Sequence, residues 1–393
     1  MVNRLLRRCY RRFFRKHSVL ILVVLGFFVL LGALRSCSFG GYSNNTPVIT
    51  TKPEQTSSTQ NSDITITEPA TVPEQASDFE IHFIDVGQGD STLIKCGNHY
   101  MLIDAGDNDK GKVVIDYLNS QNVTKLDYLI GTHPDSDHIG GLDTVIDNIE
   151  CDNILLSSKV SQTKTFNDVL TAIENANNTY SVPNIGDTFY LGDAKVSVIG
   201  PVTEYEDNNN NSIAVIVEYS GKKIAFMGDT EKEGENDILQ SGINVDVDVI
   251  KIGHHGSRSS STSAFLSALS PEYAIISCGT DNSYGHPHLE TLLTLRSMDI
   301  QIYRTDVQGT VIMYINNGNI IFNTNPSTNY KDGDGVEAVL YTGNYILNTK
   351  TKKFHYPTCE HVNDISDNNK ETIAQDRNFL IEQGYTPCGS CKP

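Results

Sequence analysis

The sequence predicts an α/β protein with mixed sheets, carried behind a basic, apolar leader and followed by a small cysteine-bearing tail. Three observations lead there. Strand-like and helix-like runs intermingle between residues 79 and 323 without a regular βα alternation or an internal repeat. Residues 18–34 form an uncharged apolar stretch. The last three cysteines, Cys359, Cys388 and Cys391, stand at spacings suited to a metal. At 393 residues the chain has room for two or three domains of ~100–200 residues each. A hydrophobic content of 38% excludes a wholly disordered chain, and a net charge of −18 argues against a strongly basic nucleic-acid coat protein.

The charge is unevenly spread. Residues 1–37 hold Arg4, Arg7, Arg8, Arg11, Arg12, Arg15, Lys16 and Arg35 and no acid, so the rest of the chain carries −26. Ser18 to Leu34 spans 17 uncharged residues, at the short end of the ~17–25 that cross a bilayer. The cations before it keep the N-terminus in the cytoplasm and put the body outside. A cleaved signal peptide would have a shorter apolar core, ~7–15 residues, and a small-residue cleavage site; an uncleaved single-pass anchor in the cell membrane fits better. Residues 38–78 are rich in Ser, Thr, Asn, Gln and Pro and read as a flexible linker. The body is then 79–323, a second polar linker occupies 324–342, and a module fills 343–393.

Within the body, Phe79–Val86 alternates like a strand and Gly87–Asp90 is a turn. Ser91–Lys95, Tyr100–Ile103 and Leu126–Gly131 are further strands, with later ones at Val196–Ile199, Ile213–Tyr219, Lys223–Met227, Val247–Ile252, Tyr273–Ser277 and Ile302–Arg304. Helical spacing fits Lys112–Asn119, Phe166–Asn175, Glu231–Leu239, Thr262–Leu269 and Leu289–Met298.

The strand Leu126–Gly131 runs into Thr132-His133-Pro134-Asp135-Ser136-Asp137-His138, followed by Gly140-Gly141. Two imidazoles and two carboxylates within six positions are the donors that Zn, Mn or Fe take. A solvated polar loop would not need to start where a buried strand ends, and loops at strand ends are where sites form.

The pattern H-x-D-x-D-H-x-G-G resembles the metallo-β-lactamase superfamily, whose usual form is H-x-H-x-D-H; Asp135 is the variant of its ComEC-like competence branch. Phe83–Asp90, Leu102-Ile103-Asp104-Ala105-Gly106, Met227-Gly228-Asp229, Ile252-Gly253-His254-His255-Gly256-Ser257 and Gly285-His286-Pro287-His288 follow in the same order as that branch. The resemblance covers about residues 79–323. It implies an αββα sandwich with two divalent metals, Zn or Mn. It also implies His133, Asp135 and His255 on one ion, Asp137, His138 and His286 on the other, and Asp229 as the bridge. Asp135 and Asp137 thereby belong to the catalytic centre, with His254 and His288 placed for phosphate contact and Asp104 supporting the histidine loop. No histidine lies between His138 and Asp229, where the superfamily normally supplies a ligand, so the choice among His254, His255, His286 and His288 stays open. If extended, His254 and His255 would point in opposite directions.

In the tail, His355 stands four residues before Cys359, and Cys388 three before Cys391. The C-x₂-C spacing lets two thiolates grip one tetrahedral ion; a Cys388–Cys391 disulfide is the other reading. The segment between them has room for one helix near Glu371–Gln383. Phe354–Cys359 and Gly384-Tyr385-Thr386-Pro387-Cys388 resemble the zinc-binding module of the Ada DNA-repair methyltransferase family. The resemblance implies a small α+β module with one structural Zn held by His355, Cys359, Cys388 and Cys391. Cys96, Cys151 and Cys278 read as buried small hydrophobes.

Together these resemblances imply a membrane-anchored extracytoplasmic metal-dependent hydrolase, a phosphodiesterase or nuclease acting on DNA in competence, with a DNA-uptake channel as a candidate partner. The alternatives are hydrolysis of small or cell-wall phosphoesters such as phosphorylcholine, and non-catalytic DNA capture. If residues 18–34 are the anchor, protease added to intact cells should remove the body and leave a membrane-bound stub; full protection of the C-terminus would overturn this orientation.

Overall fold

A computed structural model describes residues 77–393, apart from Thr342, Asp376 and Lys392. The expected anchor at 18–34 and nearly all of the 38–78 linker lie outside the described residues. No described helix is long and apolar enough to cross a membrane.

The first half of the body runs β1 (Phe79–Phe83), β2 (Thr92–Cys96), β3 (His99–Ile103), α1 (Gly111–Ser120), β4 (Lys125–Gly131), α2 (Ser136–Ile139), α3 (Leu142–Asn148), β5 (Glu150–Leu156), α4 (Lys164–Asn175) and β6 (Tyr180–Ser181). The second half continues with β7 (Thr188–Leu191), β8 (Ala194–Gly200), β9 (Ala214–Tyr219), β10 (Lys222–Phe226), α5 (Lys232–Gln240), β11 (Val249–Lys251), α6 (Ser263–Leu269) and β12 (Tyr273–Ile276). It closes with α7 (Leu289–Ser297), β13 (Gln301–Arg304), α8 (Thr305–Gln308), β14 (Val311–Asn316) and β15 (Asn319–Phe322).

Two sheets result, one of eight strands in the order β15-β14-β1-β2-β3-β4-β5-β6 and one of seven, β13-β12-β11-β10-β9-β8-β7. Alternation explains how they stack. In β1, Phe79, Ile81 and Phe83 point to one face; in β9, Val215 and Val217 do the same, and these faces meet in a shared core where Phe83 lies against Phe226. The outer face of the first sheet is covered by α1, α3 and α4 through Val114, Leu142, Val145 and Val169. The outer face of the second is covered by α5, α6 and α7 through Ile238, Phe265 and Leu292. The layers are helix, sheet, sheet, helix. The run β10-β11-β12-β13 is parallel, as is β3-β4-β5, so many loops leave the carboxyl ends of strands on one rim, where open α/β sheets place ligands.

The tail folds as a four-stranded sheet, β18-β16-β17-β19, from β16 (Tyr345–Asn348), β17 (Lys353–His355), β18 (Lys370–Ile373) and β19 (Thr386–Pro387), with helix α9 (Arg377–Glu382). The expected helix near Glu371–Gln383 is thus shorter than its span, with Glu371–Ile373 in a strand. Lys370–Ile373 hydrogen-bonds along β16, and the helix starts only after it.

The second expected linker is not loose. Ala338 is fully buried under α6 and α7, and Arg296 donates to its carbonyl. The buried guanidinium of Arg304 donates to the carbonyls of Asn329 and Lys331 while pairing with Asp306 at 2.7 Å. A chain ended after Asn325 strips those acceptors from a buried cation, a loss of ~1–3 kcal/mol. It should therefore melt about 5 °C below one ended after Leu340; equal melting temperatures would show the segment to be a passive tether.

Candidate metal centre

Asp104, the residue after β3, adopts a left-handed backbone (φ 58°), an arrangement that costs a non-glycine residue ~1–3 kcal/mol. It places one carboxylate against three donors. Oδ1 accepts from the Thr132 N–H at 2.8 Å, and Oδ2 accepts from the Thr132 hydroxyl at 2.7 Å and from His138 Nδ1 at 2.8 Å. His138 is thereby turned so that Nε2 faces inward, 3.1 Å from Asp229 Oδ1. On the other side of Asp229, His133 Nε2 lies 3.8 Å from Oδ2 and 3.6 Å from Asp135 Oδ2. Asn208 Nδ2 holds Asp135 at 2.6 Å, and Ser212 Oγ accepts the Asp229 N–H at 3.0 Å.

The loop after β11 departs from expectation. His254 and His255 are both left-handed (φ 49° and 52°) rather than extended, so they do not diverge. His254 Nε2 and His255 Nε2 lie 3.7 and 3.6 Å from the same Asp229 oxygen. Glu231 Oε1 meets His254 Nδ1 at 3.0 Å, and the Ser277 carbonyl accepts from His255 Nδ1 at 3.0 Å. His255 Nε2 then reaches Asp137 Oδ2 and His138 Nε2, each at 3.2 Å. The resemblance groups His255 with His133 and Asp135; the left-handed turn seats it 3.2 Å from Asp137 and His138, while it shares the Asp229 Oδ2 with His133 and His254.

Asp90 completes this half and was not singled out from the sequence. Its Oδ1 lies 3.2 Å from His255 Nδ1, while Oδ2 takes the buried ammonium of Lys251 at 2.6 Å. The turn carrying it packs so closely that a Cβ on Gly89 (φ +129°) would meet the Asp137 carbonyl at 2.3 Å. A lysine ending the apolar run Val249–Ile250 was the signal available: such a cation is buried only with a partner.

His286 and His288 sit at the rim. The His286 ring is 5.4 Å from His254 and 5.9 Å from His255, with its main chain held by Asn282. His288 Nδ1 accepts the Arg258 N–H at 3.0 Å, and its ring is 4.8 Å from His286. Among the described residues, Asp90, His138, Asp229 and His255 offer ligand atoms all within 4.8 Å of one another.

The electrostatics match a cation site. Burial alone would raise the Asp229 carboxyl, but His138, His255 and His133 hold it well below the ordinary range. Against the same burial, Lys251 and His255 bring Asp90 down to about 2. The carboxylates conversely push His138 up, and His255 to about 10. Burial and the neighbouring His255 and His254 bring His286 down to about 3, which keeps its donor nitrogen unprotonated. His133 Nε2, Asp229 Oδ1, Asp90 Oδ1 and His286 Nδ1 are buried with no hydrogen-bond partner. Buried orphan donors and acceptors of this kind fit divalent metal binding.

The tail brings together the four residues expected of it. His355, Cys359, Cys388 and Cys391 offer ligand atoms within 4.8 Å of one another, and both ring nitrogens of His355 lack a partner. Cys388 and Cys391 are free thiols, not a disulfide, and Cys96, Cys151 and Cys278 are buried as expected.

A family model described as the metallo-beta-lactamase superfamily matches residues 84–280. The chain is 31% identical over 255 residues to "ComE operon protein 3" of Bacillus subtilis (strain 168), covering 60% of this chain and 33% of that protein. It is 29% identical over 254 residues to "Competence protein ComA" of Neisseria gonorrhoeae, covering 64% and 34%. The chain therefore spans about a third of the length of the curated relatives it matches. Among solved structures, the metallo-beta-lactamase fold protein YhfI from Bacillus subtilis aligns with a TM-score of 0.41 at 8% identity, over 58% of this chain and 96% of that one.

His133→Ala and Asp229→Ala should each lower the metal content of the body, the aspartate more, because its carboxylate meets both halves of the cluster. Cys388→Ser should release about one metal per chain and leave the body loaded. Elemental analysis of the purified variants decides; an unchanged content in Cys388→Ser would show that the tail cluster holds no ion.

Proposed function

Because the chain belongs to the metallo-β-lactamase superfamily, in its ComEC-like competence branch, we propose that the body is a divalent-metal-dependent phosphodiesterase acting on DNA outside the membrane. The observation that carries this reading is the position of Asp229. Its Oδ1 faces His138 and its Oδ2 faces His133 and His254, with His255 Nε2 between the two halves, 3.2 Å from His138 and 3.6 Å from Oδ2, the placement suited to joining two cations.

In the proposed site His133, Asp135 and His254 hold one cation, Asp90, Asp137, His138 and His255 hold the other, and Asp229 serves both. Zn and Mn both suit this nitrogen and oxygen donor set. A bound pair of divalent ions supplies Lewis acidity toward a phosphoryl oxygen and a nucleophile from water at neutral pH. The residues of the chain do the rest. Asp104 and the Ser277 carbonyl fix the rings of His138 and His255, Glu231 fixes His254, and Lys251 offsets the charge of Asp90. His286, with its buried unpartnered Nδ1, is a further donor for the cation pair, and His288 at the rim is placed to meet the phosphate or the departing oxygen. The tail holds a structural Zn, since four protein ligands close the site to water. The basic leader and apolar run tether the enzyme to the membrane, where a DNA-uptake channel is the fitting partner.

Purified, metal-loaded protein should hydrolyse bis(p-nitrophenyl) phosphate and DNA. Asp229→Ala should abolish both activities. Asp104→Asn, which disturbs the hold on His138 and Thr132 without removing a proposed ligand, should cost the ~10–100-fold typical of support residues. Wild-type turnover in Asp229→Ala would sink the hydrolase reading.

A further inference from the structure

Beside His288 a groove of about 470 Å³ opens between the body and the tail. One wall is body: Lys232 at the start of α5, Arg258 and Ser261 on the loop after β11, and Glu290 on α7. The other is tail: Arg377 on α9, and Tyr385. Three cations face one carboxylate there, although the body as a whole is acidic. Arg258 is 58% exposed on its side chain and only 3.6 Å from Glu290, a loose surface contact.

Two buried groups point to a ligand. Arg377 is 9% exposed; its Nε donates to the main-chain oxygen of Pro393 at 3.0 Å, but Nη1 has no partner. Ser261 is 3% exposed, left-handed (φ 52°), and its Oγ likewise has no partner. The loop is not floppy: the carboxylate of Glu235 accepts from the N–H groups of Ser261 and Thr262 and from the Thr262 hydroxyl. A buried guanidinium with an unmet donor and an unmet hydroxyl, on the two walls of one groove, offer the recognition chemistry of a phosphate oxygen.

Position identifies the source of that phosphate. The groove begins where the Arg258 N–H meets His288, next to the metal centre. At the mouth of that centre Tyr284 is 62% exposed with its ring stacked on His286, 5.6 Å between centroids. A cationic groove connected through Arg258, His288 and His286 to an exposed aromatic face matches how single strands are held: backbone phosphates in the groove, bases stacked on the ring. We infer that this groove binds a backbone phosphate of a single-stranded nucleic acid whose neighbouring phosphodiester lies at the metal centre, with Arg377 of the tail as its buried anchor. The inference rests on the phosphodiesterase reading for its choice of strand. It assigns the tail a share of the binding surface beyond its metal.

The test is equilibrium binding of a short, 5′-labelled phosphorothioate oligothymidylate to the full, metal-loaded chain, read by fluorescence anisotropy across a salt series. Lys232→Ala and Arg258→Ala should each weaken binding several-fold and reduce the salt slope by ~0.7 per lost phosphate contact. Arg377→Ala should weaken it at least tenfold with the tail metal retained, and Arg377→Lys should recover part of the loss. Should Arg377→Ala shed the tail metal, the Lys232→Ala/Arg258→Ala double variant decides alone. Wild-type affinity in that double variant, absence of strand binding by the wild type, or inorganic phosphate competing as tightly as the strand would each overturn the inference. The two readings fail separately. A chain that binds the strand in this groove but cleaves no phosphodiester would sink only the hydrolase reading. Cleavage with variant-independent binding would sink only the groove.

Discussion

Everything on the catalytic rim depends on one electrostatic constraint: carboxylates and imidazoles are crowded where little water reaches. Asp90, Asp104 and Asp229 are each at most 5% exposed, as are His133, His138 and His255. Burying one uncompensated ion is costly, so such groups persist only in mutual contact or around a cation. The compensation here is layered. Asp104 is satisfied by Thr132 and His138, one oxygen of Asp90 by Lys251, and Asp90 and Asp229 each keep one oxygen without a hydrogen-bond partner at the centre. The outer pairs fix geometry, and the central carboxylate retains the capacity to bind.

That arrangement gives the left-handed backbone at three positions of this rim its reason. Asp104, His254 and His255 all sit in the left-handed region, where a side chain costs energy that ordinary loops avoid. At Asp104 the strain lets one carboxylate meet three donors. In the His254–His255 pair it turns two consecutive rings toward a single oxygen, which an extended dipeptide cannot do.

Much of this was legible in the sequence. The His133–His138 loop, Asp229 and the tail cluster stood out as chemistry-bearing residues at strand ends or at ligand spacings, and the sandwich followed from the resemblance those motifs carry. Three things were not. The grouping of His255 depends on backbone dihedrals that no spacing encodes. The strand Lys370–Ile373 is held by pairing with Tyr345–Asn348, a tertiary effect that overrides the local helical pattern. Segment 324–342 reads as a polar linker, and it is anchored by Ala338 and by main-chain carbonyls that receive Arg304 and Arg296. The β14–β15 hairpin was missed although Asn317-Gly318, both at positive φ, is a strong two-residue turn signal.

The donors of the body come from strand ends as far apart as Asp90 and His286, on both sheets. No local stretch can gather them, so the cluster exists only once the sandwich has closed, a topology rich in long-range contacts and correspondingly slow to form. A divalent ion that binds the closed state and not the open chain then shifts the folding equilibrium by mass action. The cation would act as a latch between the sheets, and the ambient metal concentration would set how firmly the two halves stay shut.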